Sequence, residues 1–212
     1  MLQTCGHRRV GSCARPFPHL KNQAPYISKL SYHFMTEKHE LPKRKTLRMK
    51  GYDYSTPANY FVTMVLQNRH NLFGKVINGQ MLINEAGKMV ETELLQLSIK
   101  HPEVILEHYV VMPNHIHCII TLTEEISLND IIRDFKSLTT YLYSNGVKQN
   151  GWHPFEKKLW QRNYFEHIIR NGRAYELIAQ YIFDNPERWD KDSNNPDNGD
   201  DDDEIMQQIL SM

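Results

Sequence analysis

The sequence predicts an α+β fold: a ferredoxin-like (RRM-like) βαββαβ sandwich with an antiparallel sheet, plus a C-terminal helix that bears a tyrosine. Two observations predict it. Between residues 58 and 186, β-rich runs and helical periodicities follow one another as strand, hairpin, helix, strand, strand, helix, strand, helix. With the small hairpin set aside, that order is the split βαβ arrangement followed by one helix.

Each element has its own signal. Residues 58–68, ANYFVTMVLQN, are rich in β-branched and aromatic side chains and read as the first strand. In 72–84, LFGKVINGQMLIN, the pair Asn78-Gly79 sits between short apolar runs, which is a two-residue hairpin signal. Residues 84–101 space Met89, Val90, Leu94, Leu97 and Ile99 near the helical period. EVILEHYVVM, 103–112, is a strand; Pro113-Asn114 is a tight turn, and HIHCIITL, 115–122, runs back beside it. Ser127 is placed to cap the next helix, with Asp130 three residues on, and Gly146 is expected to close it. KLWQRNYFEHII, 158–169, reads as the last strand. GRAYELIAQYIFDNP, 172–186, reads as the last helix, stopped by Pro186. One sheet face packs on the first two helices, and the other is left free to build a site.

Composition bounds the function. At 212 residues, 40% hydrophobic and 24% charged, the chain has the makings of one ordinary globular domain. It contains no apolar run of 18 residues, so no membrane span is expected, and no apolar stretch follows the early arginines to make a secretory signal. Cys5, Cys13 and Cys118 form no CxxC pair, which argues against a zinc or disulfide scaffold and for a reducing, cytoplasmic compartment. Residues 1–40, with Pro16, Pro18 and Pro25 and little periodicity, read as a poorly ordered N-terminal extension. Residues 41–191 read as the folded domain, and 192–212 as an acidic low-complexity tail. The formal net charge is zero, but that tail holds seven carboxylates and no Lys or Arg, so the rest is basic and suits a polyanionic partner.

Three groups of residues carry candidate chemistry. His115 and His117 alternate on one strand, so both imidazoles point to the same face and can converge on a cation. The alternative is a pair of histidines on a polar face, satisfied by water or neighbours. Tyr181 and Asn185 are four apart on the last helix and share a side of it. A phenol beside an amide oxygen suits metal-assisted nucleophilic attack; the alternative is a core tyrosine and a capping Asn. The run 41–55 holds Lys43, Arg44, Lys45, Arg48 and Lys50 before any acid, then Tyr52 and Tyr54, a pattern for phosphates and unpaired bases or else a solvated linker. Arg133, Lys136 and Arg162 are further phosphate candidates.

YVVMPNHIHCIITL resembles the HUH motif of the single-tyrosine transposases (IS200-like), and LWQRNYFEHIIRN followed by YIFDNPERW, with RKTLRMKGYDYSTPANYFVT at the front, resembles their branch associated with repetitive extragenic palindromes (REP); several motifs in the same order make this more specific than the histidine pair alone. The resemblance covers roughly residues 41–190. It implies a Mg²⁺ or Mn²⁺ ion on His115 and His117 and a tyrosine nucleophile at Tyr181. Where many transposon-borne relatives place Gln as the third ligand, this chain has Asn185, as the palindrome-associated branch does. It further implies a strand-transfer enzyme that cuts single-stranded DNA near a hairpin through a 5′-phosphotyrosine, with Arg44, Arg48, Lys50, Arg133, Lys136 and Arg162 contacting DNA. The protein is then expected to be cytoplasmic and nucleoid-associated, as a monomer or homodimer. Tyr164 and Tyr175 are rival nucleophiles. The competing functions are a non-catalytic nucleic-acid-binding module on the same fold and a phosphodiesterase that uses water.

Overall fold

The structure, a computed structural model, describes residues 54–198 and 204–210. The expected N-terminal extension, and with it Arg44, Arg48 and Lys50, lies outside the described residues. Four strands form one antiparallel sheet: β1 (Asn59–Val65), β4 (Val104–Val111), β5 (His115–Leu122) and β6 (Phe165–Ile169), in the order β4-β5-β1-β6. A separate hairpin, β2 (Gly74–Ile77) and β3 (Gln80–Ile83), turns through Asn78 and Gly79, whose positive φ values of 50° and 72° are the ones a tight two-residue turn needs. The helices are α1 (Glu85–Leu95), α2 (Leu97–Lys100), α3 (Leu128–Asn150), α4 (Gly172–Asp184) and α5 (Glu204–Leu210). This is the predicted ferredoxin-like arrangement, with β5 and β1 at its centre. No helix among the described residues is long and apolar enough to cross a membrane.

The period-2 pattern divides the sheet into two unlike faces. Tyr60, Val62, Met64, Ile116, Cys118, Ile120 and Leu122 face one layer and pack with Val90 and Leu94 of α1 and Ile131, Ile132 and Phe135 of α3. On the other face Phe61 and Ile119 meet Ala174, Ile178, Tyr181 and Ile182 of α4. The second face is therefore covered rather than free. The stripe of apolar side chains on α4 recurs at helical spacing, and the sheet is where it is buried. Asn171 fixes the start of α4 by accepting from Ala174 N–H at 2.9 Å, and Ser127 caps α3 by accepting from Asp130 N–H at 3.3 Å.

Two boundaries differ from the sequence reading. α3 does not close at Gly146; it runs to Asn150 and ends on Gly151 in the left-handed region, φ 69°. Gly146 is instead a packing glycine, where a Cβ would lie 2.1 Å from Trp152 Cε3. Gly146→Ala is therefore expected to destabilise the fold by about 1–3 kcal/mol, despite the better helix propensity of Ala, in a urea unfolding experiment. The expected strand 158–169 shortens to β6. Its first half is drawn toward α3, where the Trp160 indole donates to Thr139 Oγ1 at 3.0 Å and its ring packs on Phe73 and Phe135.

Candidate active site

The site grows from the alternation of β5. His115 and His117 both project to the α4 side, with ring centroids 4.5 Å apart and no exposure. Each ring is held by its Nδ1. Asn114 donates its amide N–H groups to the carbonyls of Arg69 (2.9 Å) and Asn194 (2.8 Å), so its Oδ1 is left as the acceptor 2.9 Å from His115 Nδ1. His115 thus carries its proton on Nδ1 and turns the Nε2 lone pair inward. Thr63, opposite His117 in the β1–β5 register, sets its Oγ1 2.8 Å from His117 Nδ1, which suits the same tautomer.

α4 and the turns after it close the site. Asn185 is 1% exposed at the end of α4 and donates to Asp192 Oδ2 at 3.2 Å. Asp192 Oδ2 is also 3.5 Å from His115 Nε2. Ligand atoms of His115, His117 and Asp192 lie within 4.8 Å of one another. The His115 Nε2, His117 Nε2 and Asn185 Oδ1 atoms are buried without a hydrogen-bond partner. Such atoms are costly unless something satisfies them. Two imidazoles, a carboxylate and an amide oxygen make a donor set that fits a divalent cation. Tyr181, one turn before Asn185 and 3% exposed, sets its ring 5.2 Å from that of His117 and edge-on to Phe61. Trp189 stacks on His115 at 6.0 Å.

Burial governs the charges. It lowers the His115 pKa, against Asp192 and with help from the Arg69 charge, and it holds His117 well below the usual value, with His115 adding to the effect. Burial alone would raise Asp192, but the histidines and hydrogen bonds from Asn194 N–H and the Asn185 amide outweigh it and leave the carboxyl low. In the metal-free protein both imidazoles therefore titrate below 6.5, the value of an unperturbed His. As pH falls through that value the unfolded chain binds protons that the folded chain does not, so stability drops with falling pH and levels off only where the folded histidines protonate. The thermal midpoint without metal is expected to fall between about pH 7.5 and 5.5, and the His115→Gln, His117→Gln double variant to lose most of that slope.

The other candidates lie elsewhere. Tyr175 donates to Glu107 Oε2 at 2.6 Å, and burial, followed by Glu107, pushes its pKa up to about 12. Tyr164 donates to Asn129 Oδ1 on α3 at 2.7 Å and packs in the opposite layer. Arg133, Lys136 and Arg162 come together in one groove of about 630 Å³, joined by Lys157 and Lys158, on the α3 side of the sheet and away from the histidines. Arg133 pairs with Asp130 and Asp134. Lys136 donates to the carbonyls of Gln161 and Asn163 and lies over the Tyr164 ring at 5.4 Å; burial lowers its pKa to about 8.

The sequence reading gives Asp192, Asn114 and Thr63 no part in the site. Asp192 opens the acidic run DSNNPDNGDDDDE, whose composition reads as tail. In the structure it is 2% exposed, and Asn195, which donates to Trp189 O at 3.0 Å, is also buried. The signal for its anchored first residues is Trp189, a large apolar side chain three positions before the run.

The chain is similar to known proteins. Residues 55–185 match the family described as Transposase IS200 like. An uncharacterized protein of Haemophilus influenzae is 32% identical over 172 residues, spanning 70% of this chain and 91% of its own length. A REP-associated tyrosine transposase of Escherichia coli K12 is 28% identical over 134 residues, spanning 63% of this chain and 68% of its own. The solved structure of a REP-associated tyrosine transposase bound to a REP hairpin covers 67% of this chain and 74% of that one, at 24% identity and a TM-score of 0.51, a likeness of fold. The chain belongs to the IS200-like transposase family and is a transposase, an enzyme that cleaves and rejoins DNA.

Proposed function

We propose that the protein cleaves single-stranded DNA beside a hairpin, with Tyr181 as nucleophile and Mg²⁺ or Mn²⁺ held by His115, His117, Asn185 and Asp192. The observation that carries this reading is the buried, inward-facing set of donor atoms that have no hydrogen-bond partner, next to the Tyr181 ring. A bound divalent cation supplies positive charge at a phosphate oxygen and eases loss of the phenolic proton. Asn114 and Thr63 hold the two imidazoles in one tautomer. Phe61 and His117 hold the Tyr181 ring. Tyr181 Oη forms a bond to phosphorus while the bond to the 3′ oxygen breaks. The proton lost by the phenol is balanced by the one gained by the leaving 3′-hydroxyl, so a 5′-phosphotyrosine forms without ATP. Attack by another 3′-hydroxyl reverses the step and joins strands. Because Tyr181 is 3% exposed, the phosphate reaches it only after α4 or the segment through Trp189 and Asp192 shifts.

The hairpin partner is supported by the solved REP-associated tyrosine transposase of like fold, which is bound to a REP hairpin, and its stem by the basic groove at Arg133, Lys136 and Arg162. Tyr181 and Asn185 can meet His115 and His117 within a single chain, an arrangement open to a monomer, with a homodimer as the alternative. A cytoplasmic, nucleoid-associated protein follows from a DNA substrate. The test is incubation with a labelled hairpin and Mn²⁺, read on a denaturing gel. A covalent band is expected; binding without cleavage under any metal would favour the non-catalytic module. A second measurement addresses the groove. The Arg133→Glu, Arg162→Glu double variant is expected to weaken hairpin binding about tenfold or more and flatten its salt dependence, while cleavage at saturation stays near wild type. Unchanged affinity would remove the groove from the DNA path.

A further inference from the structure

β1 ends at Val65, in register with His115, and the chain then turns over Gln67–Arg69. Asn68 and Arg69 both adopt left-handed backbone angles, φ 61° and 53°. Asn is at home there; a long side chain such as Arg is uncommon, and persists where the surroundings over-determine it. They do so here. Leu66 N–H donates to Asn114 O and Gln67 N–H to Leu159 O, both at 2.8 Å, and the Arg69 carbonyl accepts from the Asn114 amide at 2.9 Å. Asn114 is the residue that orients His115. One side chain therefore ties the Arg69 backbone to the candidate metal ligand.

The Arg69 side chain takes no part in holding this turn. It is exposed, and among the described residues it makes no ion pair, unlike Arg133. Its backbone nevertheless lies beside the site, because the Asn114 amide that donates to its carbonyl also sets Oδ1 2.9 Å from His115 Nδ1. A cation is thus stationed at the edge of the site, on a strained turn, with no carboxylate paired to it among the described residues.

We propose that Arg69 is a catalytic residue that grips the non-bridging oxygens of the scissile phosphate. The inference rests on the reading of Tyr181 as nucleophile. As the Tyr181 oxygen bonds to phosphorus and the 3′ oxygen leaves, negative charge is spread over the non-bridging oxygens. A guanidinium meets two such oxygens with a planar fork, stays protonated throughout, and gains most where that charge is greatest. The groove cations at Arg133 and Arg162 cannot take this role from the other side of the sheet.

The experiment compares wild type, Arg69→Ala, Arg69→Gln and Arg69→Lys in single-turnover cleavage of a hairpin with its flank, together with hairpin affinity in chelator. Arg69→Ala and Arg69→Gln are expected to cut about 100-fold more slowly at saturating DNA, and Arg69→Lys about tenfold. Affinity for the hairpin stem should change less than about threefold. Added guanidinium ion should speed Arg69→Ala but not wild type, which a merely structural role would not produce. Both neutral variants cutting within about threefold of wild type would overturn the inference, as would a defect confined to affinity, or one that guanidinium leaves untouched. A wild-type chain that forms no covalent product at all would instead overturn the proposed function, and the inference with it.

Discussion

Replacing Tyr181 by Phe is expected to abolish the covalent DNA adduct, lowering cleavage by about 10⁴-fold or more, while the protein stays folded. The two effects separate because the ring and the hydroxyl do different things. The ring fills the space between α4 and the sheet, edge-on to Phe61 and 5.2 Å from His117, and Phe preserves that packing. The lost hydroxyl costs stability about 1 kcal/mol. Tyr175→Phe is the matched control. It removes a donor to Glu107 at a phenol whose pKa is already raised, and its cleavage rate should stay within about threefold of wild type. Cleavage that survives Tyr181→Phe would point to water as the attacking group and sink the tyrosine mechanism.

His117→Ala is expected to have the next largest effect. Removing one of two imidazole donors should weaken Mn²⁺ binding by at least about 100-fold in a calorimetric titration and bring cleavage below detection. Folding should also suffer, by about 1–3 kcal/mol, because the buried ring leaves a cavity and the Thr63 hydroxyl loses its partner 2.8 Å away. Hairpin affinity should survive, since the basic groove lies on the α3 side of the sheet. Loss of hairpin binding together with cleavage would mean that His117 serves the fold rather than an ion.

Much of this was legible in the linear order of residues. The strict alternation of 115–122 sets both histidines on one face whatever the tertiary surroundings, and the four-residue spacing of Tyr181 and Asn185 does the same on a helix. The Asn78-Gly79 pair and the cap at Ser127 are local devices, decided by a few neighbouring residues. What escaped depends on contacts between distant segments. Gly146 has the residue type of a helix terminator, and only the Trp152 ring against it shows why glycine is needed mid-helix. The segment before β6 carries strand-like side chains, but Trp160 is captured by α3. Asp192 sits among residues typical of a disordered tail, yet its carboxylate accepts from Asn194 N–H and Asn185 and is buried beside His115. The closing of α4 over the second sheet face likewise follows from its apolar stripe only once the sheet is there to receive it.

The central claim is that Tyr181 becomes covalently joined to DNA. The most direct measurement traps the adduct on a hairpin substrate with Mn²⁺, digests with nuclease and trypsin, and sequences the modified peptide by mass spectrometry. Cleavage after Arg173 and Arg188 releases Tyr175 and Tyr181 on one peptide, so the fragment ions decide between them. The nucleotide is expected on Tyr181. A nucleotide on Tyr175, or on Tyr164 in another peptide, would contradict the account.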